Sequence, residues 1–97
     1  MSILKTTHAG SKAIHVTSEQ TILDEIAKLG YTYNYTLRCW SCEINPLPDI
    51  AIACFYGRNP FYIYVDFSKS GSITYSIITM HDLFNFIEDM KKKYVNS

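Results

Sequence analysis

The chain has no excess of either charge: nine basic residues balance nine acidic ones across 97 positions. Nucleic-acid affinity comes mainly from neutralising phosphates, so this balance argues against a dedicated nucleic-acid binder, and equally against an acidic DNA mimic. No stretch approaches the ~20 consecutive apolar residues that span a bilayer, and no membrane association is expected. The opening Met-Ser-Ile-Leu-Lys-Thr-Thr-His has no long apolar stretch behind a basic start, so no secretory leader is expected. The three cysteines cannot all pair within one chain. Without an export signal, reduced thiols in a cytoplasm are the simplest expectation. Internal repeats and low-complexity tracts are also missing.

What remains is a chain that is 47% hydrophobic and 19% charged, the balance of a globular protein. At this length one domain spanning 1–97 is expected, with folding hiding roughly 60–70% of the unfolded surface. Residues 1–11 are polar and include Gly10, which suggests a loose arm or a short edge strand. Residues 13–16 suggest a short strand. Thr17 or Ser18 makes a natural helix N-cap, with Gln20 three after Thr17 as in a capping box. Ile22, Leu23, Ile26 and Leu29 then recur at helical spacing, and Gly30 suits a left-handed stop.

From Tyr31 the period becomes two. Tyr31, Tyr33, Tyr35, Leu37 and Cys39 alternate with Thr32, Asn34, Thr36, Arg38 and Trp40, as in one long strand. A loop holding Pro46 and Pro48 follows. Residues 50–56 are apolar or small on both sides, as in an interior strand. After a turn at 57–60, Phe61, Ile63, Val65 and Phe67 point inward while Tyr62, Tyr64 and Asp66 point outward. Ser68-Lys69-Ser70-Gly71 forms a hairpin loop, and Ile73, Tyr75 and Ile77 mark the last strand. Thr79, with Asp82 three residues on, caps a final helix whose apolar stripe runs through Met80, Leu83, Phe84, Ile87, Met90 and Tyr94. The expected fold is therefore α+β, in the order (β)αββββα. Four antiparallel strands, or five if the N-terminal segment pairs, carry two helices on one face.

No motif carries strong chemistry. Cys39-Trp40-Ser41-Cys42 has the spacing of a redox pair or a zinc half-site. Along a strand, however, residues three apart point to opposite faces and lie ~10 Å apart. A second ligand pair is also missing, so neither metal nor cofactor is expected. His8, His15 and His81 have no companion that would orient a general base. Gly10-Ser11-Lys12 lacks the first glycine and the preceding strand of a phosphate loop. Lys91, Lys92 and Lys93 suit the negative end of a helix dipole.

The outward sheet face is unusual for a solvated surface. Strand parity puts Thr32, Asn34, Thr36, Arg38, Trp40, Tyr62, Tyr64, Asp66, Thr74 and Ser76 there, where lysine and glutamate are commoner. Tyr, Trp and Arg are enriched at interface hot spots, although hydroxyl-bearing and aromatic residues also favour strands for their own reasons. Arg38, Trp40, Tyr62, Tyr64, Asp66, Asn34 and Thr74 are accordingly the expected partner contacts. The 45–49 loop with Arg58 and Asn59 offers a second surface. The reading that follows is a small non-catalytic domain that binds another protein and blocks it sterically, in the manner of immunity proteins against toxins or phage inhibitors of host-defence enzymes. That comparison rests on size and surface type alone. Homodimerisation through the same face is a variant. A nucleic-acid module stacking bases on the sheet aromatics is the alternative, with charge balance against it. A small hydrolase or nuclease using His15 or His81 ranks third.

Overall fold

The computed structural model describes residues 14–67 and 71–95. The arm expected at 1–11, with His8 and the Gly10-Ser11-Lys12 segment, lies outside the described residues. So does most of the 68–71 loop.

The elements run α1 (Glu19–Ala27), β1 (Tyr31–Asn34), β2 (Cys39–Cys42), β3 (Ile50–Cys54), β4 (Phe61–Val65), β5 (Ile73–Ile77) and α2 (Met80–Met90). A wider π turn over Lys91–Val95 prolongs α2. The strands form one antiparallel meander in the order β1-β2-β3-β4-β5, giving the α+β arrangement that the periodicities predict.

The fifth strand arises where none was expected. The alternating stretch 31–40 folds back on itself, with Tyr31 opposite Cys42 and Asn34 opposite Cys39. Strand length supplies the reason. Ten residues in one strand would reach ~33 Å, yet β3, β4 and β5 have five residues each. About half of such a strand would have no backbone partner, and unpaired backbone is costly. Folding back pairs the surplus with itself. The N-terminal segment contributes only one isolated bridge, His15 to Thr79. It is flanked by hydrogen bonds from Val16 N to Ile78 O and from Met80 N to Ile14 O.

One sheet face holds the core. Tyr31, Ile50, Phe61, Ile63, Val65 and Ile77 are buried with Ile22 and Ile26 of α1 and with Leu83, Phe86, Ile87 and Met90 of α2. Both helices therefore lie on the same side of the sheet. The α2 stripe is rotated from expectation: Phe86 is fully buried and Phe84 only half-buried. Positions 83, 86, 87 and 90 form the buried seam, and Tyr75 of β5 meets Phe86 edge to face at 4.9 Å. Across from α2, the Tyr31 hydroxyl donates to the Pro48 carbonyl at 2.6 Å. This bond ties the loop after β2 to the core. Burial, and then the neighbouring Cys42 and Asp49, push the Tyr31 phenol above its ordinary pKa.

The two helix starts differ. At α2, Thr79 accepts from Asp82 N, and the Asp82 carboxylate accepts from Ile78 N and Thr79 N at 2.9 Å each. These backbone donors hold the Asp82 carboxyl below its ordinary pKa. At α1, Ser18 is the N-cap without any side-chain capping bond, so the box expected from Thr17 and Gln20 does not form. Ser18 Oγ instead lies 3.3 Å from Thr21 Oγ1.

Two outcomes are expected in urea unfolding. Phe86→Ala should cost about 3–5 kcal/mol as a cavity in a closed core, clearly more than Phe84→Ala; equal costs would mean that α2 is rotated otherwise. Asp82→Ala should cost about 1 kcal/mol near neutral pH. Because the folded-state pKa of Asp82 is depressed, its contribution is present above the unfolded pKa and lost as pH falls through the folded one. The gap to the parent should therefore close in acid, and a gap that persists below pH ~2 would show that the carboxylate's charge is not what caps α2.

Candidate functional site

The hairpin decides which side chains reach the outer face. Four residues, 35–38, connect β1 and β2, and Arg38 closes the turn in the left-handed region at φ 56°. Asn34 Oδ1 accepts from both Thr36 N and Leu37 N at 3.0 Å, which holds the turn shut. An even-numbered loop exchanges odd and even positions between faces. Tyr33 thus sits opposite Trp40, and Asn34 opposite Cys39.

Trp40 is consequently not an outer-face residue. It is half-buried on the helix side, packs against the core, and meets Tyr33 edge to face at 5.1 Å. Cys42 joins it there, donating from its thiol to Leu29 O at 3.1 Å. Cys39 takes the outer parity instead and is buried. The two thiols of the C-x-x-C segment thus belong to opposite faces of a strand, and both are free. Among the described residues, no group of three or more His, Cys, Asp or Glu is placed to hold a metal ion. His15 and His81 are exposed, and His81 Nε2 lies 3.2 Å from Asn85 Nδ2.

Two more of the expected contacts, Arg38 and Asp66, leave the strands for turns, and a third, Asn34, has its side chain engaged within a turn. Arg38 lies in the β1–β2 turn, where it is exposed. Asn34 has the outer parity, but its side chain is committed to the turn. Asp66 lies in the turn just past β4 in a left-handed conformation at φ 56°, its N–H donating to Asp49 O at 2.8 Å. Thr36 also belongs to the turn.

Tyr62, Tyr64 and Thr74 stay where strand parity places them. Their outer-face neighbours come from the register: Ala53 pairs with Tyr62 and Tyr62 with Ser76, while Ala51 pairs with Tyr64 and Tyr64 with Thr74. Tyr62 and Tyr64 are half-buried, with ring centroids 6.4 Å apart and planes inclined by 31°. Ala51 and Ala53 of β3 place only methyl groups beside this tyrosine pair. Thr32 and Ser41 continue the face toward β1 and β2. Positions 32, 34, 39, 41, 51, 53, 62, 64, 74 and 76 contain no charged residue, and both helices lie on the other side.

The pattern over 50–56 predicts Phe55 and Tyr56 at the end of a strand, and they do not lie in one. The strand stops at Cys54, and a turn over Phe55–Gly57 follows with Tyr56 at φ 60°. Phe55 is 63% exposed and Tyr56 96% exposed. The Phe55 ring meets Tyr62 at 5.8 Å, extending the tyrosine ridge to the end of the sheet. The parity Phe55 shares with Ala51 and Ala53, together with the Gly57 that follows, was the available signal.

Among the described residues, no helix is long and apolar enough to cross a membrane. No protein-family model, curated protein or solved structure matches the chain.

The reassigned parity has a measurable consequence. Trp40→Ala should destabilise the fold by about 2 kcal/mol or more through lost packing, while Tyr64→Ala should cost about 1 kcal/mol or less as a cross-strand contact on the uncovered face. The reverse order in denaturant titration would restore Trp40 to the outer face.

Proposed function

We propose that the protein is a small non-catalytic binding domain that docks another protein on its outer sheet face and blocks that partner sterically. The observation that carries this reading is the uncharged ridge Phe55–Tyr62–Tyr64 beside Ala51 and Ala53 of β3, on the sheet face that neither helix covers. A sheet face left to water usually carries lysine and glutamate, which discourage association. This face instead offers rings that bring large contact area with few rotatable bonds, flanked by hydroxyls able to hydrogen-bond at the rim. Tyr62 and Tyr64 act as anchors; Phe55, Thr74 and Ser76 complete the contact. Neutralisation of a toxin or of a host-defence enzyme is the kind of task such a domain would serve, by analogy with other small inhibitors.

The test begins with affinity capture from the native host, followed by measurement of Kd with the purified partner. Tyr62→Ala with Tyr64→Ala should leave a cooperative unfolding transition in place yet weaken binding by about 2 kcal/mol or more, roughly thirtyfold. Unchanged affinity in a folded double variant would refute docking through this face. Capture of nucleic acid instead, with affinity collapsing between roughly 50 and 200 mM salt, would replace the protein partner by a phosphate backbone.

A further inference from the structure

The antiparallel register brings two hairpin tips to one end of the sheet. Trp40 of β2 pairs with Ile50 at the start of β3. The turn 35–38, which precedes β2, therefore lies toward the end at which β3 finishes, and there the 55–60 connection begins. The tips resemble each other in composition. Each holds a bulky residue at positive φ, Arg38 at 56° and Tyr56 at 60°. Each exposes a tyrosine almost completely, Tyr35 at 84% and Tyr56 at 96%, beside a second exposed apolar side chain, Leu37 or Phe55. Each carries an exposed arginine, Arg38 or Arg58, and among the described residues neither is in an ion pair. Residues 35–38 and 55–60 contain those two arginines and no carboxylate.

The exposed rings are backed by others. Tyr35 meets Tyr33 edge to face at 4.8 Å, and Tyr33 meets Trp40; Phe55 meets Tyr62. A left-handed conformation costs about 1–2 kcal/mol for a residue with a side chain. A bulky residue held there is an outlier that clusters at functional positions. Exposed aromatics beside unpaired arginines have the composition of a binding hot spot.

We propose that the two tips together enter an apolar recess of a partner protein, where Arg38 and Arg58 pair with carboxylates at its rim. This rests on the reading of the outer face as a docking surface and adds its end contact and the charge of its partner. The partner is a protein rather than a nucleic acid on magnitude. Two arginines neutralise at most two phosphates, giving a salt slope of only about −1.4 on a single strand, whereas four exposed apolar side chains are suited to a recess.

The test uses the isotope-labelled full chain and two probes, a random copolymer of glutamate and tyrosine and an oligothymidylate, followed by amide chemical shifts. The copolymer should shift residues 35–38 and 55–58 saturably, and Arg38→Ser with Arg58→Ser should weaken it about tenfold while the dispersed spectrum persists. Copolymer shifts absent from the tips, or centred on Lys91–Val95, would overturn the proposal. So would tighter binding of the oligothymidylate at the tips, which would make them a nucleic-acid site. Concentration-dependent dimerisation abolished by Tyr56→Ser would overturn it in favour of a second copy. Phe55 belongs to both surfaces, so shifts at residues 35–38 and at 56–58 report on the tips, while the outer face, which has no charge to attract the copolymer, is tested by the Tyr62 and Tyr64 variants.

Discussion

The structure depends on one constraint: a five-stranded sheet with its two helices on a single side packs its hydrophobic core on that one face. Strand geometry sends successive side chains to opposite sides, so each strand must commit one parity to the core. In β4 the commitment is plain, with Phe61, Ile63 and Val65 buried and Tyr62 and Tyr64 half-buried between them. Aligning the register of every strand with that choice assembles the core, and the same alignment assembles the exposed face. The surface proposed for binding is thus a by-product of the burial that folds the chain, and its rings are held by strands that the core keeps in place.

The turn at 35–38 shows how the constraint acts locally. A left-handed Arg38 costs about 1–2 kcal/mol. Against this stand the two amide hydrogen bonds to Asn34, about 0.5–1.5 kcal/mol each. The pairing of β1 with β2 and the packing of Trp40 against the core add to them. The balance favours the hairpin over the extended alternative, which would present Trp40 to water and leave backbone groups unpaired.

Much of the architecture was legible because local chemistry and global packing agree there. The period of α1, the Thr79–Asp82 cap, the one-sided alternation of β4 and β5 and the glycine after α1 all signal what they form. The hairpin was not legible. Tyr35-Thr36-Leu37-Arg38 contains neither glycine nor proline, and its alternation continues that of the strands on either side. Asn34 is the only turn-forming residue nearby. The limit on strand length comes from β3, far along the chain, and no local window contains it. Of the seven expected contacts, the three on β4 and β5 or at their junction kept their parity or position through regular pairing, with Asp66 displaced into a turn just past β4. The three between 31 and 40, Asn34, Arg38 and Trp40, all depended on the unseen fold-back. The rotation of α2 that buries Phe86 instead of Phe84 was hidden likewise, because Tyr75 helps to set it and belongs to another element.

The ends of the sheet complete this account. The connections opposite the tips carry Glu43, Asp49 and Asp66, with Asp66 N–H bonded to Asp49 O, and the arginines lie at the tips. Acidic residues beside Arg38 and Arg58 would have neutralised them internally, as Glu25 does for Lys28 in α1. At the tips the arginines stand instead next to exposed rings that water solvates poorly. Edge-to-face contacts contribute about 0.5–1.5 kcal/mol each beyond the area they bury, comparable with the cost of one left-handed residue. Tyr33 and Trp40 behind one tip, and Tyr62 behind the other, can therefore hold the outer rings in place without drawing them under a helix. A tip made only to reverse the chain would do so at lower cost with glycine at positions 38 and 56. The proposed docking would account for the side chains found there.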